Sequence, residues 1–346
     1  MSQTPKLQVL MMAYNNDKFL EAALDPLLAS EHVERIVVVE GAWSPHAESK
    51  RSVDNTIDIL KRLQSDPKIE VLYWDQIPVE AYRWYQCDWH RALMKGALNH
   101  PYYDGEALQQ QLLARDWGLR HILSHYVGFN APSYPPTGVL SYQDPGWLWI
   151  VDSDEVYDPE KINDLVEFLN AVGEDFDYFT IQGKNFYFSG KYYHNEWYRR
   201  LFRLQPHCFF SDDNSLEIPG AAYTRTMNMP EDIIEFFHYG YVGEFRVRKK
   251  LEMWRQDAVQ SWWDKHGNKM KGEEYNAEPV HLFGDLNPGY RDYRLEEFKG
   301  KHPALVGKEC EDCDGDGRCE YCKNAGSRCG CGGACQACNG AGVIVT

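Results

Sequence analysis

Residues 147 to 155 read Trp-Leu-Trp-Ile-Val-Asp-Ser-Asp-Glu, an apolar run that passes directly into acidic residues. The five apolar residues 147–151 predict a buried strand. Ligands of open α/β sheets gather at the carboxyl ends of the strands. The acidic residues that follow are therefore the first place at which we expect chemistry.

The segments before this strand alternate short apolar runs with longer segments of helical periodicity, which is typical of a mostly parallel α/β sheet. The segment 177–226 is richer in aromatic residues and predicts an extension of the same sheet. Predicted strands cover 7–13, 35–40, 69–74 and 147–151, and predicted helices cover 17–29, 56–63, 106–123, about 246–260 and a short segment near 292–299.

The charge balance limits the classes of function. The 346 residues include 52 acidic side chains against 36 Lys and Arg, which gives a formal charge of −16. A broad nucleic-acid coat is excluded, because such binding depends on clustered positive charge. The hydrophobic content of 43% predicts a folded, soluble protein. We find neither a signal-peptide pattern nor an apolar run near the ~18 residues of a membrane span, so we expect a cytoplasmic protein without a membrane partner.

Asp152 and Asp154 stand one residue apart just after the buried strand. Carboxylates in this arrangement can hold Mn²⁺ or Mg²⁺, and the cation can bridge a substrate diphosphate. The alternative is structural, because acidic residues also begin loops and cap helices.

The acidic pair belongs to a longer pattern. The chain resembles a family 2 glycosyltransferase of the GT-A fold over most of residues 7–303, and the resemblance leans towards the phage-like branch. The matching segments are 13–16 (Ala-Tyr-Asn-Asn), 39–41 (Val-Glu-Gly), the spaced Ser52, Asp54 and Thr56, 115–118 (Arg-Asp-Trp-Gly) and 152–154 (Asp-Ser-Asp).

The resemblance implies a GT-A domain over residues 1–307. Its first half, 1–155, would bind a nucleoside diphosphate sugar, with UDP-sugars favoured, and 156–307 would take the acceptor. Tyr14 has a structural alternative as a core residue, and Asp54 has one as the cap of the helix that follows. The residues expected at the donor site are Ala13, Tyr14, Glu40 (where many members carry aspartate), Asp54, Arg115 and Asp152.

Members of the family often add a histidine from late in the chain to the metal site. By resemblance, His238 in the segment 236–241 is the expected third ligand of Mn²⁺ or Mg²⁺, beside Asp152 and Asp154. His281 and His302 are rivals, and a lone histidine among aromatic residues is also a common packing residue.

Inverting members of the family use a carboxylate on the acceptor side to take the proton of the attacking hydroxyl. The resemblance implies Glu217 as this catalytic base, with Asp213 next. Related sequences carry a His-Glu pair here, whereas this chain has Leu216 before Glu217. An acidic turn is the structural alternative for this region.

Eight of the ten cysteines lie in residues 308–346, in pairs separated by one or two residues. Paired thiolates at this spacing predict a small unit with two tetrahedral Zn²⁺ sites. Cys87 and Cys208 stand apart and are expected to be buried thiols. The flanking glycines resemble the CxxCxGxG zinc domain of DnaJ-type chaperones, which implies one site from Cys310, Cys313, Cys335 and Cys338, and a second from Cys319, Cys322, Cys329 and Cys331.

Together these features predict a metal-dependent inverting glycosyltransferase. A fused zinc unit favours a macromolecular acceptor, and the phage-like resemblance implies the hydroxymethyl group of 5-hydroxymethylcytosine in DNA, met in a host cell if the chain is phage-encoded. A glycan or protein acceptor is the first alternative, and a zinc-dependent adaptor on an inactive transferase is the second. The basic segment 246–255 offers either local phosphate contacts or a solvated helix face.

Overall fold

The architecture comes from a computed structural model that describes residues 5–44, 47, 49–77, 105–126, 146–188, 192–205, 208–212, 215–217, 225–242, 246–248, 270–271, 274–275, 296–299 and 302. The helices are α1 (Asp17–Ala29), α2 (Thr56–Leu63), α3 (Gly105–Ser124) and α4 (Pro159–Val172). The strands are β1 (Leu7–Ala13), β2 (Val33–Glu40), β3 (Ile69–Tyr73), β4 (Trp147–Asp152), β5 (Glu155–Tyr157), β6 (Tyr178–Phe188), β7 (Tyr192–Arg203), β8 (Phe209–Asp212), β9 (Ser215–Glu217), β10 (Thr226–Asn228), β11 (Glu235–Val242), β12 (Met270–Lys271), β13 (Glu274–Tyr275) and β14 (Glu296–Glu297).

The central sheet has the strand order β3-β2-β1-β4-β7-β6-β11-β5, with β10 beside β6 and β14 beside β7. Strands β3, β2, β1 and β4 are parallel, whereas β7 is antiparallel to both β4 and β6. The predicted α/β class and the parallel first half of the sheet are confirmed. The aromatic middle segment extends the same sheet, as expected, so residues on both sides of the predicted boundary between 155 and 156 share one sheet.

Helices cover both faces of the parallel half of the sheet. In β1, Val9 and Met11 point into a core shared with α1, α2 and α4, whereas Leu10 and Met12 point into a core shared with α3. This alternation follows from the two-residue period of a strand. Because both faces of the strand are covered, its sequence is almost uniformly apolar.

Helix α3 packs closely against the sheet at Gly118. A Cβ atom here would lie 2.9 Å from Val39 Cγ2 and closer still to Leu10 Cδ1. We expect Gly118→Ala to destabilise the fold by about 1–3 kcal/mol, because the added methyl group overpacks the core. Chemical denaturation measures the change, with Gln110→Ala on the same helix as the control. A stabilised Gly118→Ala variant, which an exposed helical glycine would give, would contradict this close packing.

Helix α4 was not predicted from the sequence, although its start carries two local signals. The side chain of Asp158 accepts a hydrogen bond from Glu160 N at 3.0 Å. Pro159 occupies the first helical turn, where its missing N–H costs nothing. An aspartate followed by proline is therefore the signal that should have predicted this helix.

The helix predicted near 292–299 is wrong at Glu296 and Glu297. These two residues form β14, which pairs antiparallel with the start of β7. A free sheet edge offers backbone hydrogen bonds that outweigh the local helical preference. Of the helix predicted over 246–260, the described part, residues 246–248, is helical.

Several predictions concern residues outside the described ranges. They include Cys87, His281, Asp213 and the zinc unit 308–346 with its eight cysteines. Cys208 is fully buried, as expected, and burial raises the pKa of its thiol to about 11. No described helix combines the length and the apolar character needed to cross a membrane.

Candidate active site

Three strands that carry sequence motifs end side by side at one edge of the sheet. Ala13 at the end of β1 pairs with Glu40 at the end of β2, and Met12 pairs with Asp152 at the end of β4. Since these strands are parallel, their carboxyl ends open on the same side, where α/β proteins place ligands. Predicted donor-site residues from distant parts of the chain thus meet at one edge.

The loop after β1 is held by polar side chains from residues 52–56. Asn15 adopts a left-handed conformation with φ of 48°, which asparagine tolerates better than most residues. Asp54 Oδ1 accepts a hydrogen bond at 3.0 Å from the backbone N–H of Thr56, the first residue of α2. The loop bonds run from the backbone N–H groups of Asn15, Asn16 and Asp17 to Ser52 Oγ (2.8 Å), Thr56 Oγ1 (2.8 Å) and Asp54 Oδ2 (3.1 Å), respectively.

Glu40 and Tyr14 hold the neighbouring segment 49–52. Glu40 is fully buried, its Oε1 accepts a hydrogen bond from Ser52 N at 2.8 Å, and burial raises the pKa of its carboxyl group. Tyr14 donates its hydroxyl proton to Ser49 O at 3.1 Å, and its ring lies edge-on to Trp43. Both residues therefore shape the wall beneath the strand ends, and their contact with a donor stays a prediction.

A row of charged side chains surrounds the end of β4. Arg115 Nη2 donates to Asp152 Oδ1 at 3.2 Å, and Arg200 Nη2 donates to Asp152 Oδ2 at 3.1 Å. Arg200 also forms a close ion pair with the buried Glu155. Burial raises the pKa of Asp152, but the charges of Arg200 and Arg115 outweigh this effect and lower it below its usual value. Asp152 is thus an ionised carboxylate of fixed orientation, with 26% of its side chain exposed.

Strand β11 brings His238 to the acidic turn. It lies between β6 and β5, so His238 pairs with Asn185 on one side and with Glu155 on the other. His238 Nε2 lies 3.4 Å from Asp154 Oδ1. No hydrogen-bond partner for this buried nitrogen is found among the residues that the structure describes.

The proton on the His238 ring is placed by a chain of hydrogen bonds. His238 Nδ1 lies 2.7 Å from Asn185 Oδ1, while Asn185 Nδ2 donates to Tyr198 Oη (2.8 Å) and Glu196 Oε2 (3.2 Å). Since a carboxylate only accepts, this amide orientation requires Nδ1 to carry the proton. In the neutral ring, Nε2 is then the nitrogen whose lone pair faces Asp154. A lone pair and a carboxylate oxygen that face each other fit a divalent cation.

A guanidinium group is linked to the same turn through Asn16. Asn16 Nδ2 donates to Ser153 Oγ at 2.7 Å, and its amide oxygen accepts a close hydrogen bond from Arg246. Arg246 Cζ also stacks over the Phe19 ring, 4.3 Å from its centroid. The first residue of the predicted basic helix therefore places a positive charge beside the acidic turn.

Two residues of this site, Asn185 and Arg200, were missed by the sequence analysis, and Glu155 was included only as part of the acidic stretch after β4. Along β7, exposed residues alternate with less exposed ones, which assigns Tyr198 and Arg200 to the inner face. An arginine on an inner face needs a buried carboxylate partner, and that signal could have pointed to Arg200. Asn185 and Glu155 carry no comparable local signal.

Two other predicted residues, His302 and Glu217, lie in described strands or beside described aromatic residues. His302 Nδ1 lies 2.8 Å from Tyr239 Oη and its ring packs against Phe298, which is the arrangement of a packing residue. Glu217 ends β9, where it pairs with Phe209 of β8. The placement of the Glu217 side chain is outside the description, so its role as catalytic base stays a prediction.

No protein-family model matches the sequence, and no curated protein does. Among solved structures, S. aureus TarS is 14% identical with a TM-score of 0.36, over 77% of this chain and 44% of that one. TarS 1–349 in complex with UDP-GlcNAc is 13% identical with a TM-score of 0.34, over 67% and 58%. Glucosyl-3-phosphoglycerate synthase from Mycobacterium tuberculosis, in complex with Mn²⁺, UDP and glucosyl-3-phosphoglycerate, is 16% identical with a TM-score of 0.24, over 53% and 44%. The chain thus spans less than two thirds of each of these structures.

Proposed function

We propose that this chain is a metal-dependent, inverting glycosyltransferase that uses a nucleoside diphosphate sugar. The observation that carries the proposal is the pair of Asp154 Oδ1 and His238 Nε2, 3.4 Å apart at the carboxyl edge of the sheet. Both atoms offer electron pairs, so either a cation or a proton on the ring must hold them together. The Asn185 contact makes Nδ1 the donor of the ring, so Nε2 is the atom that a neutral His238 offers to a cation.

The residues around this pair would have separate roles in binding the donor. Asp154 and His238 would hold Mn²⁺ or Mg²⁺, and Asp152, fixed by Arg115 and Arg200, would supply the second carboxylate. A divalent cation bound there neutralises charge that develops on a leaving diphosphate. Because the two arginines fix Asp152 before any ligand arrives, the site is preorganised.

Arg246 supplies positive charge next to the cation site. Arg246 contacts Asn16, and Asn16 in turn contacts Ser153 of the acidic turn. We therefore assign Arg246 to the donor diphosphate and not to a solvated helix face. A guanidinium is suited to this contact because its several N–H groups can donate to phosphate oxygens together.

The finer part of the proposal rests on the sequence. Ala13, Tyr14, Glu40 and Asp54 would lie along the site of a UDP-sugar, and Glu217, with Asp213 next, would act as base. The zinc unit would help to recognise a macromolecule. The acceptor we propose is 5-hydroxymethylcytosine in DNA, ahead of a glycan or a protein.

A transfer assay tests this proposal. The full chain is incubated with Mn²⁺ and labelled UDP-sugars, in the presence of duplex DNA with 5-hydroxymethylcytosine, the same duplex with cytosine, or a mixture of glycans and peptides. Label on the hydroxymethylated duplex alone supports the whole proposal. Label on glycans or peptides instead keeps the glycosyltransferase and rejects the DNA acceptor. If no nucleotide sugar binds or is hydrolysed, the enzymatic proposal fails in favour of the adaptor.

Asn185→Leu should weaken Mn²⁺ binding about 10–100-fold, because the His238 ring loses the acceptor that keeps its proton on Nδ1. Electron paramagnetic resonance of free Mn²⁺ measures the affinity without reference to catalysis. Asn195→Leu, an exposed position on β7, is the matched control. Equal affinity in the two folded variants would remove Asn185 from the site.

A further inference from the structure

A second group of metal-ligating side chains lies away from the strand ends described above. It consists of Glu70 near the start of β3, His121 in the last turn of α3 and His125 directly after that helix; we refer to it as the Glu70 cluster. His121 Nε2 lies 2.6 Å from Glu70 Oε2, and His125 Nε2 lies 3.5 Å from the same oxygen. The three ligand atoms all lie within 4.8 Å of one another.

The two histidines can act as ligands at neutral pH. Burial lowers the pKa of both rings, and the nearby charge of Arg35 lowers it further. A neutral imidazole has one nitrogen with a free electron pair, which a metal ion requires. Between 27% and 36% of each side chain in the cluster is exposed, so water can reach the group.

Arg35 orients the carboxylate of Glu70, but its positive charge disfavours a cation at the cluster. Its guanidinium forms a close ion pair with Glu70 Oε1, which leaves Oε2 to the histidines. The same positive charge repels a cation. The carboxyl end of α3 acts in the other direction, because the end of a helix carries partial negative charge that favours cations.

We propose that Glu70, His121 and His125 form a second metal site, which binds Zn²⁺ through Oε2 and the two Nε2 atoms, with water as the fourth ligand. Imidazole nitrogen with carboxylate suits Zn²⁺ and its neighbours better than Mg²⁺ or Ca²⁺. Ligand atoms of tetrahedral zinc lie about 3.3 Å apart for bonds of about 2.0 Å. The two observed distances to Glu70 Oε2, 2.6 and 3.5 Å, lie on either side of this value. Binding would displace the proton that His121 shares with Glu70, and would tie the end of α3 to the sheet.

Cobalt titration of the full chain tests the site. Co²⁺ replaces Zn²⁺ and absorbs visibly, and thiolate ligands add intense charge-transfer bands that nitrogen and oxygen ligands lack, so the cysteines of 308–346 can be told apart. We expect one equivalent of Co²⁺ to bind without thiolate bands. The Asp154→Asn variant should still bind this equivalent. His125→Ala, a partly exposed position, should weaken it about tenfold or more. His32→Ala is the matched control.

The same variants in a thermal melt with Zn²⁺ give a second readout, because an ion that binds only the folded state raises the melting temperature. Zn²⁺ should raise it more in the wild type and in His32→Ala than in His125→Ala. If His125→Ala retains the thiolate-free equivalent, or if the only such equivalent is the one that Asp154→Asn removes, the Glu70 cluster is a hydrogen-bonded ion pair and no metal site. Neither outcome contradicts the proposed transferase activity.

Discussion

Replacing Asp154 with asparagine should lower sugar transfer by about three orders of magnitude. A cation at a leaving diphosphate contributes several kcal/mol to the transition state, and about 4 kcal/mol corresponds to that factor. Asparagine keeps the shape of the side chain but loses the charge that faces His238. Steady-state turnover measures the first loss, and calorimetric titration with Mn²⁺ should show a parallel loss of affinity.

Asp164→Asn is the matched control, because Asp164 is a carboxylate on α4 with 47% of its side chain exposed. It should leave both transfer and Mn²⁺ affinity unchanged. If His238 were instead a protonated ring paired with Asp154, Asp154→Asn would weaken Mn²⁺ binding no more than Asp164→Asn does. That result would remove the pair from the metal site even if activity fell.

Arg200→Met should destabilise the fold by about 3–5 kcal/mol, because it leaves the carboxylates of Asp152 and Glu155 without their shared partner. Arg200 is 1% exposed, and Glu155 is fully buried. Although methionine is apolar and of similar length, it cannot compensate the buried charge of Glu155 or replace the second partner of Asp152. Denaturant unfolding followed by circular dichroism measures the change.

Arg199→Met is the control for this prediction, since the neighbouring arginine is exposed and should cost less than about 1 kcal/mol. Adding Glu155→Gln to Arg200→Met should recover part of the lost stability, because one buried charge disappears. Equal stability of the Arg200 and Arg199 variants would show that the buried ion pairs contribute little.

The first elements of the parallel half of the sheet were predictable from local sequence pattern. The structure reproduces the predicted bounds of β1, α1 and α2. Helices α1 and α2 have apolar residues at helical spacing, whereas β1 is a short, almost uniformly apolar run. The family resemblance implied one site for Glu40 and Asp152, and the parallel strands β2, β1 and β4 bring both residues to one edge of the sheet.

The contacts that complete the site could not be predicted from local sequence pattern. Arg200 reaches Asp152 only because β7 pairs with β4, and His238 reaches Asp154 only because β11 is placed between β5 and β6. Such pairings join segments far apart in sequence, and nothing in either segment alone specifies the partner. The spaced Ser52, Asp54 and Thr56 show the same limit, since a motif suggestive of ligand binding is used to hold a loop.

The bonds to the loop after β1 also determine how this site can meet an anion. Dinucleotide-binding folds receive phosphate on the free amide groups at the start of the helix that follows the first strand. Here the amides of Asn15, Asn16 and Asp17 are already satisfied by side-chain oxygens. These three groups are therefore not free to bind a diphosphate at this edge, although the start of a helix usually favours an anion. In the proposed site the charge of the diphosphate is met by guanidinium groups and a cation, so the strength of phosphate binding would depend on the supply of metal.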